Sequence, residues 1–94
     1  VESVVNDNPG KHRFEISADG EVAGFSAYRL RDGAITFTHT EIDPRFEGKG
    51  LGSKLARTVL DEARSRGLRV YAQCPFIAGY IDKHPEYQDL LASD

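Results

Sequence analysis

The 94-residue sequence contains no tryptophan, no methionine and one cysteine, Cys74. A lone thiol excludes an intramolecular disulfide, and no Cys/His cluster stands at zinc spacing, so no metal site is expected. A reducing compartment, the cytoplasm, is the simpler expectation for such a chain. No apolar run approaches the ~20 residues of a membrane span, and no charged-then-apolar leader opens the sequence. The chain starts at Val1 rather than Met, so an initiator or a short leader is expected to precede it. A basic excess is also missing. Twelve Lys/Arg against 15 Asp/Glu give a formal charge of −3, which argues against nonspecific nucleic-acid binding. The chain is too short for a TIM barrel or a two-halved dinucleotide fold, and it carries no fixed-period repeat.

Present instead is an ordinary soluble mixture, 39% apolar and 29% charged, that fits one domain over residues 1–94. Residues 1–10 contain the turn formers Asn6 to Gly10 and read as a loose N-terminal segment. Arg13 to Ser17 alternates polar and apolar as a short half-buried strand. Asp19-Gly20 signals a hairpin into a second strand over Glu21 to Leu30, and Asp32-Gly33 signals another into Ala34 to Ile42. In that third strand strict alternation puts Ile35, Phe37, His39 and Glu41 on one face. Asp43-Pro44 stops it. Leu51, Leu55, Val59, Leu60 and Ala63 then form one helical stripe over about Leu51 to Arg66, with Gly67 at the C-terminal cap position. Leu68 to Gln73 reads as a fourth strand, Phe76 to His84 as a second helix, and Tyr87 to Leu91 as a short helical tail. The order β-β-β-α-β-α predicts an α/β (α+β) domain. Its sheet is mostly antiparallel with about four strands, the last two parallel across the first helix by a right-handed crossover.

Between the third strand and that helix lies Arg45-Phe46-Glu47-Gly48-Lys49-Gly50-Leu51-Gly52. A helix start offers unpaired N–H groups and roughly half a positive charge, and glycines let an anion approach the backbone. Residues 45–66 hold six Lys/Arg and three acids, a local +3 on a chain of net −3. These features suit a phosphate or pyrophosphate ligand. The Walker pattern fails because Asp43 stands where its first glycine belongs and Gly50 where its hydroxyl belongs. The dinucleotide fingerprint fails because Ser53 replaces its third glycine and no acid follows near Leu68 to Val70.

The stretch Asp43 to Leu55 resembles motif A of the Gcn5-related N-acetyltransferases, a Gln/Arg-x-x-Gly-x-Gly/Ala pattern that cradles the pyrophosphate of acetyl-CoA. Thr38-His39-Thr40-Glu41-Ile42, Cys74-Pro75-Phe76 and His84-Pro85-Glu86-Tyr87 are similar to segments of the short, single-domain YjdJ-like branch of that superfamily. The resemblance runs from about residue 12 to 91. It implies acetyl-CoA as co-substrate and an amine acceptor; that no metal or membrane takes part is expected from the absent Cys/His cluster and apolar run. It implies a CoA site made of Ile42, Glu47, Gly48, Lys49, Gly50, Leu51, Gly52, Ser53 and Lys54, with Cys74 and Tyr80 lining the slot. Glu47 departs from the family's Gln or Arg, and a carboxylate beside a pyrophosphate is repulsive. The helices that help bind the acceptor in larger members are replaced by the Asp19-Gly20 turn. The acceptor side is therefore open or completed by an oligomer or partner.

Acetyl transfer needs a proton acceptor for the amine and a proton for the leaving thiolate. Three residues near the expected slot are candidates. Glu41 is either a base or a solvated strand carboxylate. His39 is either a catalyst or a packed strand residue. Cys74, at a strand-to-helix step, is either a nucleophile or a small core residue. The resemblance thus implies an N-acetyltransferase, with a non-catalytic CoA-binding or interaction module as the alternative.

Overall fold

The strands pair in chain order. In the computed structural model, which describes residues 2–92, β1 (Ser3–Asn8), β2 (Arg13–Ala18), β3 (Glu21–Arg31) and β4 (Ala34–Ile42) form an antiparallel meander. Helix α1 (Leu51–Ser65) crosses over, and β5 (Arg69–Ala72) then joins β4 in parallel. Helix α2 (Pro75–Lys83) and a 3-10 segment, Pro85–Leu90, complete the order. The parallel β4–α1–β5 unit and both helices match the sequence expectation. The sheet has five strands rather than four, because the first ten residues are not a loose segment.

β1 owes its place to tertiary partners rather than to propensity. Its register runs from Ser3↔Ala18 to Asn8↔Arg13. Asp7, a poor strand former, accepts hydrogen bonds from the buried Tyr28 hydroxyl and, at 2.9 Å, from the Arg66 guanidinium. Burial and the Asp7 carboxylate push the Tyr28 pKa up to about 12. At the other end of the strand the Lys54 ammonium donates to the Ser3 carbonyl and hydroxyl, each at 2.8 Å.

Both Asp-Gly hairpins form as expected, with Asp19 and Asp32 at φ 50° and 49° and a glycine after each. Helix α1 ends where Gly67 predicts. The Leu68 N–H reaches back to the Ala63 carbonyl at 2.9 Å and the Gly67 N–H to Arg64 at 3.1 Å. The α1 stripe Leu51, Leu55, Ala56, Val59, Leu60 and Ala63 is buried in one cluster with Phe14, Ile16, Ile35, Phe37, Val70, Ile77 and Ile81. The regular β-strand positions on the opposite sheet face, such as Arg13, Glu15, Phe25, Thr36 and Tyr71, are not buried. One face is thus packed under helices and the other is open.

Two bulges break the alternation. Ile16 pairs with Gly24 and Ser17 with Val22, which leaves Ala23 as an extra residue in β3. Ala27 pairs with His39 and Tyr28 with Phe37, which leaves Thr38 extra in β4. The second bulge corrects the sequence expectation. Ile35 and Phe37 point into the core, but His39 and Glu41 do not share their face. Beyond Thr38 the inward positions pass to Thr40 and Ile42, and the Thr40 hydroxyl lies 3.0 Å from that of buried Ser26.

Candidate functional site

The site begins where β5 leaves β4. Their pairing ends at Phe37↔Ala72, and the Phe37 carbonyl then accepts from both Gln73 N–H at 3.1 Å and Cys74 N–H at 3.0 Å. β4 runs on to Ile42, and on that side no strand among the described residues pairs with it beyond Phe37. Asp43 N–H donates to Ala23 at 2.7 Å. Because antiparallel strands alternate their hydrogen-bonding direction, the backbone groups of Thr40 and Ile42 then face the gap. A ligand with amide groups can pair there as a strand would.

The turn that follows is tied down by its own side chains. The Asp43 carboxylate accepts from Arg45 N–H at 2.9 Å and binds the Arg45 guanidinium at 3.1 Å, which also lies over the Phe46 ring. The Arg45 hydrogen bonds hold the Asp43 carboxyl below its usual range. Arg45 is therefore committed to Asp43 and not to Glu47. Glu47 is exposed and makes no ion pair among the described residues.

Helix α1 starts from Gly50 in the left-handed region, at φ 74°, with no side-chain cap and no acid in its first turn. Its first internal bond is Lys54 N–H to Gly50 carbonyl at 3.1 Å. The N–H groups of Leu51, Gly52 and Ser53 have no acceptor among the described residues. Such an end favours an anion. A cavity of about 280 Å³ opens onto it, lined by Thr40, Ile42, Phe46, Glu47, Gly50 and Phe76 among others. At Gly52 the helix approaches Phe76 closely, and a Cβ there would come within 2.8 Å of the end of that exposed ring and push it aside. A second cavity of about 340 Å³ lies on the far side of Phe76, lined by Ser53, Pro75, Gly79, Tyr80, Lys83 and His84.

The structure brings most of the expected loop residues together. Ile42, Glu47, Gly48, Gly50, Leu51 and Gly52 line the first cavity, and Ser53 and Tyr80 the second. Lys49 is exposed and has no carboxylate partner among the described residues. Lys54 is different, because its ammonium is held on β1 by Ser3 and not at the loop. His39 and Glu41 do meet, Nε2 to Oε2 at 3.4 Å, with side chains 61% and 65% exposed on the open sheet face. Cys74 stands apart from them, 2% exposed within the core at the start of α2. Tyr80 stacks on His84 at 3.9 Å between ring centroids, and the His84 Nδ1 is 2.8 Å from the Tyr80 carbonyl. Phe76, which separates the two cavities, was not among the expected residues. Its signal in the sequence is its place in the Cys74-Pro75-Phe76 segment, which does not tell that the ring stands exposed between two cavities.

A strand that loses its neighbour beside an uncapped, glycine-started helix is one observation, and comparison with known proteins supplies the other. The family model described as GCN5-related N-acetyl-transferase matches residues 13–90. The chain belongs to the GCN5-related N-acetyltransferases. Acetyl transfer is thus the general chemistry of its family, and the expected fold is that of its solved relatives. A GCN5-like putative N-acetyltransferase from Staphylococcus aureus, solved by NMR, superimposes with a TM-score of 0.72 at 26% identity, over 97% of this chain and 89% of that one. The ribosomal-protein-alanine N-acetyltransferase of Brucella melitensis biovar Abortus 2308 shares the fold, with a TM-score of 0.58 at 20% identity over 87% of this chain and 65% of that one. Streptothricin acetyltransferase from Streptomyces lavendulae is 41% identical over 54 residues, 55% of this chain. The match spans 29% of that relative's length. No helix among the described residues is long and apolar enough to cross a membrane.

Proposed function

We propose that the chain binds acetyl-CoA and transfers its acetyl group to an amine. The observation that carries this is the uncapped start of α1 beside the unpartnered end of β4. The pyrophosphate sits against the N–H groups of Leu51, Gly52 and Ser53, with Lys49 as the nearby cation. The pantetheine arm pairs with the backbone of Thr40 and Ile42 and runs toward the divergence at Phe37. The thioester then lies in the gap between β4 and β5, and the amine reaches it from the open sheet face, where Glu41 stands.

The amine nitrogen attacks the thioester carbonyl carbon. The tetrahedral intermediate collapses by breaking the C–S bond, which yields the amide and the CoA thiolate. Glu41, directly or through one water, takes the proton that the nitrogen loses, and a proton from solvent neutralises the thiolate. His39, 3.4 Å from Glu41, holds that carboxylate in place. Calorimetric titration with acetyl-CoA, followed by mass spectrometry of an amine library, tests the proposal. Binding without any acetylated product would leave a CoA-binding module, and no binding would remove both readings.

Cys74 is a core residue in this mechanism. With 2% of its surface exposed, it offers an incoming thioester no route to the sulfur. Cys74→Ala is expected to keep acetyl transfer and to lose about 1 kcal/mol of stability from the small cavity left behind. A hydroxylamine-sensitive acetyl group on Cys74 after incubation with acetyl-CoA, together with an inactive Cys74→Ala protein, would instead establish a covalent route.

Glu47 weakens the cofactor site. It lines the cavity proposed for the anion and makes no ion pair among the described residues. Glu47→Gln is expected to tighten CoA two- to fivefold, about 0.5–1 kcal/mol for relief of a surface repulsion. Weaker calorimetric binding in this variant would show that the carboxylate organises the loop.

A further inference from the structure

We propose that the exposed edge of β3 at Leu30 docks an extended segment of a partner protein in which acidic and apolar residues alternate. The docking itself does not depend on the acetyl-CoA reading. β2 accompanies β3 only as far as Arg13↔Ala27, and the last bond between the two sides runs from the Tyr28 N–H to the His12 carbonyl at 2.9 Å. Before His12 the chain is bent into the 3-10 turn Pro9–Lys11, and the His12 N–H goes to the Pro9 carbonyl at 3.1 Å. β3 runs on to Arg31 against β4 alone. Along an antiparallel strand the backbone groups point alternately to one side and the other. Tyr28 points its N–H away from β4, so Leu30 does the same. The Leu30 N–H and carbonyl have no backbone partner on that side among the described residues.

The side chains decide what such an edge accepts. Tyr28 is buried under the helices, so alternation puts Leu30 on that face and Arg29 and Arg31 on the open one. The Leu30 side chain is 53% exposed. A groove of about 490 Å³ beside it is lined by Lys11, His12, Ala27, Arg29 and Arg31 among others, and by no carboxylate. Lys11 and Arg29 make no ion pair among the described residues. Arg31 reaches only Asp32, at 3.8 Å, with both side chains in solvent. Glu15, on the open face, is already bound by Arg13 at 2.7 Å.

A second copy added edge to edge about Leu30 would set Arg29 across from Arg31 and is repelled. An acidic strand is attracted. Its residues across from Arg29 and Arg31 carry carboxylates to the open face, and the residue across from Leu30 carries an apolar side chain to the other. A nucleic acid would answer the charge but not the Leu30 side chain or the strand edge. Ala27, which lines the groove, pairs with His39. A docked partner is therefore held beside the side from which the proposed acceptor amine arrives.

Fluorescence anisotropy with a labelled, end-blocked Glu-Val-Glu-Val-Glu-Val peptide tests the proposal. The unmodified chain is expected to bind it, less tightly as salt rises, and not to bind the Lys-Val counterpart. Arg29→Gln together with Arg31→Gln, at exposed positions, should weaken binding roughly tenfold, the scale of two surface ion pairs. Circular dichroism gives the folding control. In an antiparallel pair both bonds to Leu30 come from the residue across from it, here a valine. N-methylation of the valines should therefore abolish binding to the unmodified chain, and N-methylation of the glutamates should leave it nearly unchanged. Equal effects of the two methylations would overturn the strand pairing, and so would a failure of the unmodified chain to bind the peptide. A folded double variant that binds as the wild type does would overturn the charge assignment. A single-stranded oligonucleotide that binds more tightly than the peptide, and loses its binding in the double variant, would assign the patch to nucleic acid instead.

Discussion

Gly50→Val is expected to bind CoA roughly 10- to 150-fold more weakly than the unmodified chain, because it removes charge-assisted backbone hydrogen bonds worth about 1.5–3 kcal/mol. Gly50 sits at φ 74°, where L-residues pay about 1–2 kcal/mol and β-branched ones more. Valine relieves that strain by rotating position 50 out of the left-handed region. The helix then starts differently, and the N–H groups of Leu51, Gly52 and Ser53 no longer converge on one point. The domain itself survives, since nothing lies within 4 Å of the Gly50 Cβ position and the residue is exposed. Gly50→Ala should fall between the two, because alanine tolerates the left-handed region better than a β-branched side chain. Calorimetry gives the affinities and a thermal melt followed by circular dichroism gives the folding control. A folded Gly50→Val protein that binds CoA as the wild type does would reduce the glycine loop to a simple turn.

The parts of this fold that were legible in the sequence are those fixed by short-range chemistry. Asp19-Gly20 and Asp32-Gly33 mark their hairpins because few other pairs accept positive φ at both central positions. The α1 stripe and its Gly67 stop are equally local signals. β1 was not legible, because Asn6, Asp7 and Asn8 disfavour a strand until Tyr28, Arg66 and Glu15 supply partners from elsewhere in the chain. The β4 bulge was not legible either. One extra residue at Thr38 leaves no mark in composition, yet it turns every later side chain to the other face. The loop could be found from its glycines and charge, whereas the engagement of Lys54 by Ser3 depends on a contact 51 residues apart in sequence. The same bulge decides the catalytic candidates. It moves His39 and Glu41 out of the core, whereas Cys74 is buried independently of it, at the start of α2.

That displacement underlies the second large effect. Glu41→Gln is expected to lower kcat about a hundredfold, within the 10²–10⁴ range that a positioned base contributes. Calorimetric affinity for acetyl-CoA should be unchanged, since the Glu41 side chain lies on the open sheet face and the α1 loop lies beyond the gap. The glutamine keeps the shape of the side chain and removes only its ability to take a proton. An amine arriving as an ammonium ion must then lose its proton to solvent before it attacks. The variant's rate is therefore expected to climb with pH until the acceptor's own pKa is passed. His39→Gln should cost less, about fivefold, because in the proposed mechanism His39 orients Glu41 and does not receive the proton. The measurement uses whichever library amine the wild-type chain acetylates, with steady-state kinetics across pH. A Glu41→Gln enzyme that keeps more than half its activity would remove Glu41 as the base. If His39→Gln fell as far as Glu41→Gln, the proton would belong to the pair and not to the carboxylate alone.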